Sequence, residues 1–378
     1  MRGISFFLLL IFLLNVVLTY SQEVQIGYIK YTIFLSNDSI VETNSSNLFS
    51  PISPSEMVVD SSGNVFVAAV NTIYVLKNNG NISKEINVSG VEYLTYDPRS
   101  QVIITTSGTL PNHVISFISD DNLSLLDRDY LSVYPLSIAY DNVSDKVIVG
   151  LIGGIGILKG DNITDIVRMP GIVSSLAVNN IGNIYVVGYN LSANRGFFSI
   201  LDNNFTVKLE DNFSTFFNFV SYINGKTYIG GDGCILIYQN NTFSKITYLG
   251  EDFYGMAYDP INDLVYVAAH SLYGPDFVLV IKGTNIVGRI YGVVTPIDII
   301  FNPVSKLIFV SNFFSGTLSI ISPGKPPEGN TQEVTLPSNS YVSSASSTGI
   351  NMLKIIIILT IALFFIASLF LRKLKRFG

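Results

Sequence analysis

One phrase recurs along the whole chain. A short apolar run ends in Asp or Asn, a turn follows, and then an apolar-aromatic strand. The clearest copies run from Met57-Val58-Val59-Asp60 to Val65-Phe66-Val67-Ala68-Ala69, from Met256-Ala257-Tyr258-Asp259-Pro260 to Val265-Tyr266-Val267-Ala268-Ala269, and from Ile299-Ile300-Phe301-Asn302-Pro303 to Leu307-Ile308-Phe309-Val310-Ser311. Aligned on the Asx residue, the units begin near residues 55, 91, 135, 173, 217, 253 and 296. A period of roughly 40 residues with strand patterning and no helical patterning predicts a β-propeller, each unit reading strand a, turn, strand b, loop, strand c, turn, strand d. The seventh unit ends at strand c, Thr317-Leu318-Ser319-Ile320-Ile321. A strand from 24–43, which holds the run Tyr31-Thr32-Ile33-Phe34-Leu35, is expected to complete it. Such closure removes the open sheet edge that would otherwise template aggregation. The expected fold is all-β: a seven-bladed β-propeller closed by an N-terminal strand, plus a single C-terminal transmembrane helix.

The two ends set the expected location. Residues 4–18 are apolar, Arg2 precedes them, and Thr19-Tyr20-Ser21 offers small residues before Gln22, so 1–21 reads as a secretory signal peptide. An uncleaved N-terminal anchor is the alternative. Residues 355–371 are apolar without a break, and the run extends to Ile350 if Lys354 snorkels. Arg372, Lys373, Lys375 and Arg376 follow at once, which places 372–378 on the cytoplasmic side. Between them, 22–322 is the expected propeller ectodomain and 323–349, rich in Pro, Ser, Thr and Asn, an extended stalk. The expected location is the cell membrane, with a single pass and the ectodomain outside.

Formal charge is −6, and setting aside Arg2 and the four basic tail residues takes it to −11. An acidic ectodomain without basic clusters argues against nucleic acid as a partner. Cys234 is the only cysteine, which excludes an intrachain disulfide. Its setting, Cys234-Ile235-Leu236-Ile237, is a strand interior, and a buried inert thiol is expected.

The last unit, Thr295-Pro296-Ile297-Asp298-Ile299-Ile300-Phe301-Asn302-Pro303 through Ile308-Phe309-Val310-Ser311-Asn312 to Gly316-Thr317-Leu318-Ser319-Ile320-Ile321, resembles the YVTN-type β-propeller repeat. A proline-led strand, Asn-Pro, and a strand ending near Thr-Asn carry the likeness. Val-Ser-Asn stands for Val-Thr-Asn at 310–312, and the middle units keep only the rhythm. The resemblance implies a propeller over about residues 54–322 and a setting at the archaeal or bacterial cell surface, associated with a surface layer. It implies no reaction.

Asn-x-Ser/Thr sites occur at Asn37, Asn44, Asn81, Asn87, Asn122, Asn142, Asn162, Asn190, Asn204, Asn212 and Asn240. Asn81, Asn122, Asn162, Asn204 and Asn240 each fall in the c–d turn of one of the first five units. N-glycans need surface loops, and a–b and c–d turns share one face of a propeller, here called the turn face. The chain enters its stalk from the same side. The b–c and d–a loops share the opposite loop face, which then points outward. Units two, four and six are the longest, and their extra residues lie in the b–c loops 107–113, 189–195 and 270–276. Loops on a rigid scaffold are where recognition usually resides. His113, Tyr189, Arg195, His270, Tyr273, Asp276, Phe313 and Phe314 are the candidate binding residues.

No HExxH, CxxC or clustered His-carboxylate spacing is present. Counting back from the strand-a turn aligns Glu56, Tyr93, Ser137, Ser175, Asn218, Gly255 and Asp298 in one column, expected to line the channel. Met57, Leu94, Ile138, Leu176, Phe219, Met256 and Ile299 form the next, expected to pack between units. Oxygen ligands in a channel suit Ca²⁺. Glu56, Asn218 and Asp298 are therefore the candidate metal ligands, similar in residue type to those of propeller lactonases. The leading expectation is a glycosylated, membrane-anchored surface propeller that binds or scaffolds an envelope protein or polysaccharide. The alternatives are a hydrolase or lyase with a metal at the channel mouth, and an extracellular solute-capture protein, which would need a deep apolar pocket.

Overall fold

The computed structural model describes residues 27–35, 53–107, 113–131, 133–159, 162–190 and 192–324. The expected signal peptide, most of the expected stalk, the expected span at 350–371, the basic residues 372–378, and Asn37 and Asn44 lie outside the described residues. Among the described residues every regular element is a β-strand, and none forms a helix long and apolar enough to cross a membrane.

The first strand, β1 (Tyr28–Phe34), stands apart from its neighbours in sequence. Unit one folds as β2 (Pro54–Val59), β3 (Val65–Ala69), β4 (Thr72–Leu76) and β5 (Ile82–Asn87), hydrogen-bonded in that order. Unit two repeats the pattern with β6 (Val91–Asp97), β7 (Val102–Ser107), β8 (His113–Ser119) and β9 (Leu125–Leu131). Units three and four form one six-stranded sheet of β10 (Ser137–Asp141), β11 (Lys146–Lys159), β12 (Asn162–Val178), β13 (Ile184–Asn190), β14 (Arg195–Leu201) and β15 (Val207–Phe213). Units five and six form another, of β16 (Phe217–Ile223), β17 (Lys226–Gln239), β18 (Thr242–Asp259), β19 (Leu264–Ser271), β20 (Phe277–Lys282) and β21 (Asn285–Tyr291). The long strands change partners midway. β11 pairs with β10 through residues 146–150 and with β12 through 152–159. Gly153 in β11 and Gly233 in β17 take the left-handed conformation at these switches, at φ 79° and 69°, where a side chain would be strained.

The last sheet is β22 (Pro296–Asn302), β23 (Leu307–Asn312) and β24 (Thr317–Ser322), completed on its outer edge by β1. β1 runs antiparallel to β24, with Tyr28 opposite Ser322 and Phe34 opposite Thr317. The N-terminal strand thus occupies the place the seventh unit lacked. Innermost strands touch in the cyclic order β2, β6, β10, β12, β16, β18, β22 and back to β2. Apolar faces are buried between neighbouring sheets. Ile308, Val310 and Ile321 of the last sheet pack with Tyr266 and Val278 of unit six, while Phe309, Leu318 and Ile320 pack with Met57, Val67 and Leu76 of unit one. Each fully buried aliphatic or aromatic side chain contributes roughly 1.5–3 kcal/mol. Outermost strands such as β5 and β9 are mostly exposed, in keeping with their charged sequences.

The recurrent Asp or Asn has a structural task. Oδ1 of Asp60, Asp97, Asp141, Asn179, Asp259 and Asn302 accepts the backbone N–H two residues on, at 2.9–3.1 Å. All six side chains are buried. These are Asx turns, in which the side chain mimics the backbone and fixes the exit from strand a. Asn302 also donates from Nδ2 to the Gly63 carbonyl at 2.7 Å, joining the turns of the last and first units.

Asp259→Ala removes an acceptor held by Ile261 N–H and Asn262 Nδ2. We expect it to cost about 2–3 kcal/mol in equilibrium denaturation. A loss under about 0.5 kcal/mol would contradict this role for the motif.

Candidate functional site

The inner strands are stitched to one another by side chains. Asp298 Oδ2 in β22 accepts Met57 N–H in β2 at 2.7 Å, and Glu56 Oε2 in β2 accepts Leu94 N–H in β6 at 2.9 Å. Ser175 Oγ in β12 accepts Val220 N–H in β16 at 3.2 Å. Serines one residue earlier donate instead: Ser55 to the Glu92 carbonyl and Ser174 to that of Phe217. Ser311 of β23 donates to the Ser55 carbonyl, so the ring's two ends are held by several bonds.

This pattern corrects the register read from sequence in unit five. Val220, not Phe219, takes the place of Met57 and Leu94 there. Asn224-Gly225 makes a tight hairpin turn, in place of the Asx turns elsewhere, so counting back from it slips by one residue. Asn218 therefore falls outside the column of Glu56 and Asp298. Its Nδ2 donates to the Phe253 carbonyl at 3.0 Å, tying unit five to unit six. Glu56 and Asp298 do come together, from the first and last units. Burial pushes Glu56 well above the carboxylate range, and Asp298 raises it further. Burial likewise pushes Asp298 up to about 6, against the opposing pull of the Met57 and Ile299 N–H groups. Among the described residues no group of three or more His, Cys, Asp or Glu is placed to hold a metal ion. Cys234 is buried and free, and burial pushes its thiol up, as expected of an inert core residue.

On the loop face the candidate residues fall into two groups. His270, Tyr273, Asp276, Phe313 and Phe314 belong to one patch on units six and seven. Asp276 is its clamp: Oδ1 lies 2.8 Å from His270 Nδ1 and accepts Ser271 N–H, while Oδ2 accepts Thr295 N–H from the linker into unit seven. Phe313 N–H donates to the Thr295 carbonyl, and the Phe313 and Phe314 rings meet at 5.4 Å. Around this frame Leu272, Tyr291, Val294 and Phe314 are exposed, and Tyr273 is 90% exposed.

The second group lies over units two to four. The His113 ring meets Tyr134 edge-on at 4.9 Å, and Tyr134 Oη donates to Glu92 at 2.6 Å. Burial, then Glu92, pushes the Tyr134 phenol up to about 12. Tyr93 is pushed further by burial, by Glu56 and Glu92, and by the nearby Tyr134 and Tyr189. Tyr189 packs on Phe216 at 5.6 Å. Arg195 is exposed at the start of β14. Glu92, Tyr134, Phe216, Leu272, Tyr291 and Val294 were not singled out in the sequence. Their one signal is position, in or beside the b–c and d–a connections.

The turn face carries an open apolar depression of about 520 Å³, lined by residues that include Met57, Tyr96, Met256, Tyr258, Ile299 and Phe301. Of the sequon asparagines described, Asn81, Asn87, Asn122, Asn142, Asn162, Asn204, Asn212 and Asn240 are exposed. Asn190 is half-buried, its Oδ1 accepting from Ser192 and Ala193.

The Asp298 shift gives a pH dependence of definite sign. The unfolded carboxyl titrates near 4, so the folded ring holds the proton more tightly. The contribution is full below pH 4 or so and is lost as pH rises through about 6. Across that window the melting temperature of the wild type should fall relative to Asp298→Asn. Parallel profiles, or a relative gain by the wild type, would contradict the assignment.

No family model and no curated protein sequence matches this chain. Solved structures do match it. A chain of Kuenenia stuttgartiensis hydrazine synthase aligns at TM-score 0.61 and 11% identity, covering 75% of this chain and 98% of its own. The β-propeller domain of Myceliophteria thermophila Cps50 (Swd1) aligns at 0.60 and 8% identity, covering 78% and 99%. A chain of a mitotic checkpoint complex aligns at 0.61 and 11% identity, covering 79% and 92%. At such identities the likeness speaks for the fold alone: the chain is a β-propeller.

Proposed function

We propose that this protein is a cell-surface binding module: a seven-bladed propeller of YVTN type, held outside the membrane by residues 350–371 and recognising an envelope protein or polysaccharide through its loop face. Taking each six-stranded sheet as two blades gives seven, because β11, β12, β17 and β18 each supply two strand lengths. The carrying observation is the Asp276 clamp, which fixes the loops of two units into one frame beneath exposed aromatic residues. Rigid aromatic groups at a surface suit recognition, since little side-chain freedom is lost on contact. Pairing Tyr28 with Ser322 brings both ends of the described chain out at the turn face. The loop face lies at the opposite end from both and is free for recognition. Exposed sequon asparagines on the turn side fit a glycan-bearing inner face.

One observation bears on a second reading, solute capture: an apolar depression at the turn-side end of the channel, open to solvent where that reading asks for depth. A single experiment separates the two. Protein purified from native membranes, its intact mass reporting glycans, is used to capture partners from envelope extracts and to bind a panel of apolar solutes. Tyr273→Ala with Phe314→Ala is expected to lower partner capture at least about tenfold, the effect of losing two exposed anchors. Unchanged capture in that variant, with solute binding abolished by Met256→Trp, would replace the first reading with the second.

A further inference from the structure

The loop edge of units five and six carries negative charge that the protein leaves uncompensated. Asp232 in β17 stands directly opposite Asp252 in β18, and Asp252 stands opposite His270 in β19. Glu251 adjoins them, opposite Ser271. Like charges facing each other across a strand pair are destabilising. Burial, then Asp252, raises the Asp232 carboxyl, and burial raises that of Glu251. Tyr254 responds, after its own burial, to Asp252, Asp232 and Asp276 together, which places all three near one phenol. Glu251 Oε2 is shielded from solvent and has no partner at ordinary hydrogen-bond geometry, the neighbouring Ser271 hydroxyl only partly opposing the effect of burial on this carboxyl. Among the described residues, no lysine or arginine forms an ion pair with Asp232, Glu251 or Asp252. Arg289 on β21 lies over the Phe277 ring at 5.2 Å and donates to Tyr291 Oη.

The acidic strip does not stand alone. It runs straight into the apolar patch: Ser271, opposite Glu251, is followed by exposed Leu272 and Tyr273. Phe277 and Tyr291, with rings 5.8 Å apart, continue the next row, that of Phe253 and Ala269, beside the row of Asp252 and His270. Carboxylates on one side and exposed aromatic and aliphatic groups on the other describe a surface for a segment that is cationic and apolar at once.

We propose that this stretch of the loop face binds a protein segment presenting lysine or arginine beside an aliphatic residue, the cation at Asp232, Glu251 and Asp252 and the aliphatic group on Leu272, Tyr273 and Phe314. The proposal rests on the loop-face reading above and narrows its partner. An ammonium or guanidinium supplies charged donors to the Glu251 carboxyl and offsets the Asp232–Asp252 repulsion. A neutral glycan brings hydroxyl donors but no positive charge, so it leaves that repulsion in place.

The test uses the full chain in detergent. A labelled peptide alternating lysine and leucine is titrated by fluorescence anisotropy, beside the same peptide with glutamate for lysine and a neutral glucan. The lysine peptide should bind, weaken with added salt, and lose affinity by about tenfold or more in Asp232→Asn/Asp252→Asn, a change of about 1.4 kcal/mol. Tyr273→Ala should weaken it independently, and melting temperatures no lower than that of the wild type would show that both variants fold. Equal binding of the glutamate peptide, binding of the glucan in place of the lysine peptide, or indifference to the Asp232/Asp252 change would overturn the proposal. Should partner capture from envelope extracts depend on Tyr273 while the lysine peptide fails to bind, the cationic partner is refuted and the loop-face reading stands.

Discussion

The hydrogen bond from Met57 N–H to Asp298 joins residues 241 apart in sequence, and the ring depends on the seam it marks. A propeller has no central element to organise it. Each sheet buries its faces only against its two neighbours, so the arrangement is stable only when the last sheet meets the first. Three features hold that meeting: the Asp298 and Ser311 bonds, the turn-to-turn bond from Asn302 to Gly63, and the packing of Phe309 and Ile320 on the first unit. β1 then covers the edge of β24 that would otherwise be free.

Glu56 and Asp298 illustrate a conflict between closure and charge. Both accept backbone donors across unit boundaries, which requires burial, and burial next to each other disfavours their double ionisation. The same carboxylates that suggest a channel metal in the sequence are employed in joining units. Their perturbed titration has a structural source in the seam, so it is no argument for catalysis by itself.

Much of this was legible in the sequence because it repeats. The buried Asx residues from Asp60 to Asn302 announce the strand-a turns, and their apolar neighbours Met57, Leu94, Ile138, Leu176 and Ile299 announce the packing column. The unfinished seventh unit pointed to a strand before the first, and β1 is that strand. Other features were hidden for a physical reason: they arise between units. Asn218 looked like a channel ligand because the Asn224-Gly225 turn disguised its register. The Asp276 clamp draws on Thr295, 19 residues away, and the facing of Asp232 and Asp252 is a property of strand pairing that spacing alone does not display. Repetition reveals what every unit shares, whereas binding depends on where single units differ.

Native-state hydrogen exchange on the full chain tests closure most directly. A ring held at the seam must open as a whole, so the amides of β1, of β22 to β24 and of Met57 should exchange with the same free energy as those of β3 and β7. Exchange of the last sheet and β1 well before the rest, with Met57 unprotected, would show a ring that is not closed and would contradict the account.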